Sequence, residues 1–226
     1  MFRSLTFSAL VALIALSISL LITETVIAQP TSPSPAPTNP PKKPNNPGIT
    51  INQLKKGFAG NCPTSAATPE IITCEDALPF INRAIKKYRL KTRGQKAAYV
   101  ANMAFEGGYL KYNHNLQNPS QGTRSIMPAV SLRAFVNANK SVQKLWPGYP
   151  NNVNDSTIVD VLIKNKLDFE PGAWWTVSGP DCATVAKGLT GVDATFLVWE
   201  KTCIRGGEET IQDRLKIYTN VYKAFM

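Results

Sequence analysis

Apolar positions recur at helical spacing through most of the chain beyond residue 72, and the clearest repeat runs from Thr92 to Gly108. Thr92 with Gln95 three positions on forms a capping box, which starts a helix. Ala97, Val100, Ala101, Ala104 and Phe105 follow at i, i+3, i+4, i+7 and i+8, a single apolar face. Gly107-Gly108 ends the helix, because glycine accepts a left-handed cap without a Cβ clash. Upstream, Thr73 or Asp76 caps a helix with the stripe Leu78, Ile81, Ile85 and Tyr88, and Pro79 is tolerated in its first turns. Downstream, Pro128 to Trp146 gives one or two helices, and Asp155 or Ser156 opens another with Ile158, Val159, Leu162 and Ile163 inward. Helices are also expected over Ala183–Lys187, Asp193–Lys201 and Glu208–Phe225. The last carries a core-facing seam of Ile211, Leu215, Tyr218, Val221, Tyr222 and Phe225.

Three stretches lack a helical period. Gly48–Cys74 reads as a loop-rich entry, Tyr109–Ile126 as irregular or short β structure, and Phe169–Asp181 as a Gly/Pro-bounded loop holding Trp174 and Trp175. The pattern therefore predicts a mainly α domain of about seven helices around the one ending at Glu106, with a small β or loop region on one wall of a cleft.

Glu106 falls on the last helical turn, beside the apolar face. Partial burial and the negative end of a helix dipole both disfavour a carboxylate at such a position. A carboxyl group that keeps its proton near neutral pH can protonate a glycosidic oxygen. Around it, Tyr109, Tyr112, Asn113, Gln121 and Thr123 are candidate sugar-lining residues. An indole of Trp174 or Trp175 would stack on a sugar ring if it faced the cleft, and packing is the alternative role for each.

The residues Glu106-Gly107-Gly108-Tyr109, followed by the Asn-rich segment and Gln121-Gly122-Thr123-Arg124, resemble the lysozyme-like superfamily and most closely a group of fungal secreted lysozyme-like proteins. That superfamily includes goose-type lysozymes, lytic transglycosylases and family 19 chitinases. Gly122-Thr123-Arg124-Ser125-Ile126-Met127-Pro128 is similar to the glycine-to-Met-Pro signature that follows the catalytic Glu in lytic transglycosylases. The resemblance extends more weakly from about Thr73 to the C-terminus. It implies an α+β lysozyme-like fold and an enzyme that cleaves a β-1,4-linked amino-sugar polymer, with Glu106 as general acid. A non-catalytic carbohydrate-binding or effector protein on the same fold is the alternative.

Two departures bear on mechanism. Ser125 stands where transglycosylases carry Gln, so no Gln contact to sugar is carried over. No acidic residue lies between Glu106 and Asp155, so the second Glu of family 19 chitinases has no counterpart in the adjacent loop. Either Asp168 or Asp181 folds back to supply a second carboxylate, or Asn113, Gln121 and Thr123 orient the water, or the domain binds without cutting.

The rest of the sequence sets the context. Residues 1–28 read as a secretory signal, with Arg3 ahead of the apolar run Leu5–Ile22 and Val26-Ile27-Ala28 as the cleavage site; left uncleaved, the run would be an anchor. Residues 29–47 are a Pro-rich spacer with no apolar pattern, and residues 48–226 are the lysozyme-like domain. The expected product is secreted, extracellular and monomeric, with no stable membrane insertion once the signal is removed.

Cys62, Cys74, Cys182 and Cys203 are an even set for an oxidising compartment. Of the three possible connectivities, the local one, Cys62–Cys74 with Cys182–Cys203, is preferred because each pair brackets a short segment. Asn139 and Asn154 head N-glycosylation sequons that are expected on exposed loops. With no CxxC and a lone His114, neither metal ligation nor a Ser-His-Asp centre is expected, and no cofactor is. Glycine motifs for nucleotides are missing and the basic residues are scattered, which argues against nucleic acid. The net charge of +10 favours an anionic polymer, so the expected partner is a bacterial or fungal cell-wall polysaccharide, peptidoglycan before chitin.

Overall fold

The computed structural model describes residues 47–191 and 194–226. The signal and all of the spacer before Pro47 lie outside the described residues. Ten α-helices are present among these residues. They are α1 (Ile51–Gly57), α2 (Cys74–Lys87), α3 (Arg93–Glu106), α4 (Ala129–Ala138), α5 (Lys140–Gln143), α6 (Ile158–Lys164), α7 (Glu170–Ser178), α8 (Cys182–Val185), α9 (Ala194–Trp199) and α10 (Ile211–Ala224). A π-helical turn, Glu200–Ile204, continues α9. None of the described helices is long and apolar enough to cross a membrane.

The fold is mainly helical, and α3 lies at its centre. Its capping box is formed as the sequence predicts, with Thr92 accepting from the Gln95 amide. The burial is wider than one face. Tyr99 and Met103 are buried along with Ala97, Ala98, Val100, Ala101 and Ala104, because α3 is enclosed by α10 and α7. The Tyr99 hydroxyl donates to the Phe169 carbonyl at 2.9 Å, which satisfies the phenol that burial would otherwise penalise.

Two of the expected loops contain helices. Within the entry segment, Thr50 and Gln53 make a capping box for α1, which buries Leu54 and Phe58 against α10. Gly57 matters here, because a Cβ would lie 3.2 Å from the Val221 Cα. Within the Phe169–Asp181 stretch, Glu170–Ser178 is α7: its Pro171 sits in the first turn, where no helical hydrogen bond is lost, and Gly172 is helical. The reverse holds for the expected β region. Residues 107–127 contain only single antiparallel bridges, His114 to Gly122 and Gly122 to Met127. Left-handed residues Gly108, Tyr109 and Leu110 turn the chain sharply, and the Asn115 side chain captures the amides of Gln117 and Asn118 that a ladder would use.

Two apolar cores result. The first joins α1, α2, α3, α9 and α10. The second gathers Leu132, Phe135, Val142, Trp146, Ile158 and Leu162 beneath Trp174. Helix α7 touches both, with Ala173 in the first core and Trp174 in the second. Of the two sequons, Asn154 is exposed, whereas Asn139 is half-buried and its amide donates to the Phe135 carbonyl at 2.6 Å, against the expectation of two exposed loops.

Both disulfides are local, Cys62–Cys74 and Cys182–Cys203, closing separations of 12 and 21 residues. Replacing either pair by Ser is expected to cost about 3 kcal/mol in urea unfolding. Only the loss of Cys182–Cys203 should also shift the tryptophan emission, because the Cys203 carbonyl accepts from Trp175 Nε1 at 3.2 Å.

Candidate active site

Helix α3 ends at Glu106 because the next residues cannot continue it. A Cβ on Gly107 would sit 2.8 Å from the Arg124 carbonyl, and Gly108 has a φ of 55°. Glu106 is thereby held on the wall of a cleft of about 480 Å³. Asn102 and Glu106 of α3 line it with Ser125 to Pro128, the exposed face of α4, Trp175 and Thr176 of α7, Pro180-Asp181, and Cys203 to Arg205. The cleft thus draws residues from both apolar cores.

Beneath it lies a buried charge network. The Arg214 guanidinium donates to Glu106 Oε1 at 2.5 Å and to Asn102 Oδ1 at 3.1 Å. Its Nε reaches Thr210 Oγ1 at 3.2 Å, and its plane lies 4.0 Å above the Phe105 ring. On its other side, Nη1 is 3.3 Å from Glu200 Oε1, an ion-pair contact without hydrogen-bond alignment, so that oxygen is buried with no donor. Burial pushes the Glu200 carboxyl up to about 7, with Arg214 opposing the rise and the charge of Glu106 adding to it. Arg214 is thus the ion-pair partner of Glu106, and the carboxyl driven towards its neutral form is Glu200.

Local sequence explains this placement. Arg214 lies three residues after Ile211 and four before Tyr218, so it projects from the buried seam of α10. Glu200 opens the π-helical turn, one residue after the fully buried Trp199. Gly206 closes the arrangement, since a Cβ there would come within 2.8 Å of Glu200 Oε1 and 3.0 Å of Arg214 Nε.

Of the residues singled out in the sequence, Glu106 and Trp175 line the cleft. Trp174 is buried edge-on against Phe135, with ring centres 5.8 Å apart. Tyr109 packs edge-on against Phe58 in the first core, and burial raises its phenol above the usual range. Tyr112 lies over Gly108, and the buried Asn113 contacts His114 Nδ1 at 2.8 Å. Gln121 accepts from Asn115, and Thr123 is fully buried with an unpaired hydroxyl. The left-handed run after Glu106 carries these side chains away from the cleft lining.

The two distant aspartates part company. Asp168 is buried against Arg124 Nε at 2.9 Å, and burial raises its carboxyl although Arg124 opposes the shift. Asp181 lines the cleft, paired with Arg205. Asn102, Glu200, Arg205 and Arg214 are the site residues that sequence reasoning passed over. The available signal was a charged residue interrupting an apolar stripe, at Arg214 above all.

No family model matches the chain, and no solved structure does. A protein of Fusarium oxysporum (strain Fo5176), named bifunctional dioxygenase (DOX)-epoxy alcohol synthase (EAS), is 29% identical over 159 residues. The match covers 66% of this chain and 12% of that protein.

A carboxyl raised from 4.5 to about 7 binds a proton in the folded state that the unfolded chain has released. Its contribution is fully present below pH 4.5 and is lost as pH rises through about 7. Glu200→Gln should remove that slope, gaining up to about 3 kcal/mol over wild type above the window, read as urea midpoints across pH. Parallel pH profiles for the two proteins would assign the shift elsewhere.

Proposed function

We propose that this chain is a secreted glycoside-cleaving enzyme on a lysozyme-like fold, acting on a β-1,4-linked amino-sugar polymer, with peptidoglycan favoured over chitin. The observation that carries the reading is the position of Glu106, on the wall of a cleft at the end of a largely buried helix. Trp175 in the same lining offers an indole for sugar packing, and the apolar residues Ile126, Met127 and Val130 suit N-acetyl methyl groups.

Glu106 protonates the leaving oxygen. To do so it must hold a proton, and the Arg214 network supplies a way. Substrate in the cleft excludes water and makes two charged carboxylates around one guanidinium costly. Arg214 turning fully onto Glu200 would ionise that carboxyl, and the proton it gives up would pass to Glu106, leaving Glu106 as the protonated member. Asp181 is the other carboxylate in the lining, and it would activate the attacking water once Arg205 is drawn off it. The activities named for the Fusarium relative belong to a protein of which the match covers only 12%.

One observation favours the rival reading, a sugar-binding protein that does not cut: both cleft carboxylates are tied to arginines, Glu106 to Arg214 and Asp181 to Arg205. Release of reducing ends from bacterial cell walls separates the two. Glu106→Gln should lose at least about a hundredfold in rate, since the amide has no proton to give, while still retaining oligosaccharide binding. Equal rates in both proteins, or no cleavage by either, removes the enzyme reading.

A further inference from the structure

The rim of the cleft carries an ion pair whose two backbones are held in place and whose side chains stand in solvent. Arg205 follows the π-helical turn in the left-handed region, with φ 59°, and its amide donates to the Glu200 carbonyl at 2.8 Å. Asp181 immediately precedes Cys182, and Arg205 lies two residues after Cys203, so the Cys182–Cys203 bridge ties the two positions together covalently. The side chains remain in solvent, 71% exposed for Arg205 and 46% for Asp181. A single contact joins them, Arg205 Nη2 to Asp181 Oδ2 at 2.5 Å.

That geometry is suited to exchange. A guanidinium has five N–H donors in a fork that matches a carboxylate bidentately, and Asp181 occupies one of its nitrogens. An ion pair this exposed contributes little, so an incoming anion displaces it at small cost. The other charged cleft residues do not compete. Glu106 is held by Arg214, whose side chain is 9% exposed and committed to Asn102, Thr210, Glu106 and Glu200. Beside Arg205 the lining is Ile204 and Pro180, with Trp175 and the apolar residues of Ile126 to Val130 completing the wall. A ligand satisfying this rim sets an apolar face against that wall and one carboxylate on Arg205.

We infer that Arg205 is the specificity-determining residue of the cleft and selects glycans bearing a carboxylate substituent, which takes the place of Asp181 on its guanidinium. The inference rests on the carbohydrate-cleft reading above. A lactyl ether on an amino sugar has the required chemistry, with an acid group a few bonds from the ring. A neutral N-acetylated oligomer lacks it.

The test is calorimetric binding of two probes to the full chain: an N-acetylglucosamine oligomer, and an oligomer of equal length in which alternate sugars carry the lactyl carboxylate. Wild type should prefer the acidic probe by about tenfold, a preference that falls as salt is raised. Arg205→Gln should bind both probes alike, and Arg205→Lys should restore only part of the preference, because an ammonium lacks the fork. Asp181→Asn, which removes the competing carboxylate, should strengthen the acidic probe alone. Equal binding of the two probes by wild type, or a preference that survives Arg205→Gln, overturns the inference and leaves the carbohydrate reading standing. Failure of both probes to bind overturns both.

Discussion

The structure depends on how one buried guanidinium is satisfied. Arg214 sits in the seam where α10 crosses α3, the most extensive contact among the described helices. A lone charge there would cost several kcal/mol in desolvation. It is tolerated because Glu106, Asn102, Thr210 and Glu200 converge on it, and because the Phe105 ring meets its flat face. Those partners come from three separate elements: the end of α3, the start of α10 and the π-helical turn. Satisfying Arg214 therefore fixes the angle of α10 on α3 and the point at which Glu106 leaves the helix. Folding stability and the geometry of the cleft are here the same requirement.

Much of this order is written in the apolar periodicity. The stripes of α2, α3, α6 and α10 face inward as their spacing dictates, and the caps at Thr73 and Thr92 are formed. Glu106 is legible because a periodic helix meets a double glycine immediately after it. Helix α1 was missed although Thr50 and Gln53 repeat the capping-box spacing of Thr92 and Gln95. Its seven residues are too few for a periodic stripe to show, and Gly57 and Gly60 disguise it as a loop. In α7 the apolar residues fall all round the helix, since it lies between two cores, so it has no amphipathic signature. Gly172 looks like a breaker and is instead a contact residue, where a Cβ would meet Ser125 Oγ at 2.3 Å.

The cleft lining was less legible for a different reason. Sequence reasoning gathered polar residues that follow Glu106 closely, and nearness along the chain is a poor guide once three successive residues take positive φ. Asn113 and Thr123 are buried there as structural groups, while Asn102 faces the site from one turn earlier in α3 and Arg205 and Arg214 reach it from other elements. Non-local charge pairing leaves no periodic trace. Its one local mark is a charged residue where an apolar one is due, as at Arg214.

The position of Trp175 shows how far such pairing extends. Glu170, 2% exposed, opens α7, where the helix dipole favours its charge. Lys87 Nζ donates to it at 2.5 Å and the Tyr88 hydroxyl at 2.8 Å, both from the end of α2, and Arg83 stands 3.7 Å away. Burial, reinforced by that carboxylate, holds the Tyr88 phenol far above its usual range. Breaking any one of these contacts would leave a buried charge short of partners, so the start of α7 is keyed to α2. The helix then runs inward past Gly172 and Ala173, and its geometry alone sets where residue 175 emerges. The indole on the cleft wall is thus positioned by a charge cluster at the opposite end of its helix, and the Cys203 carbonyl, fixed by the second disulfide, receives its Nε1.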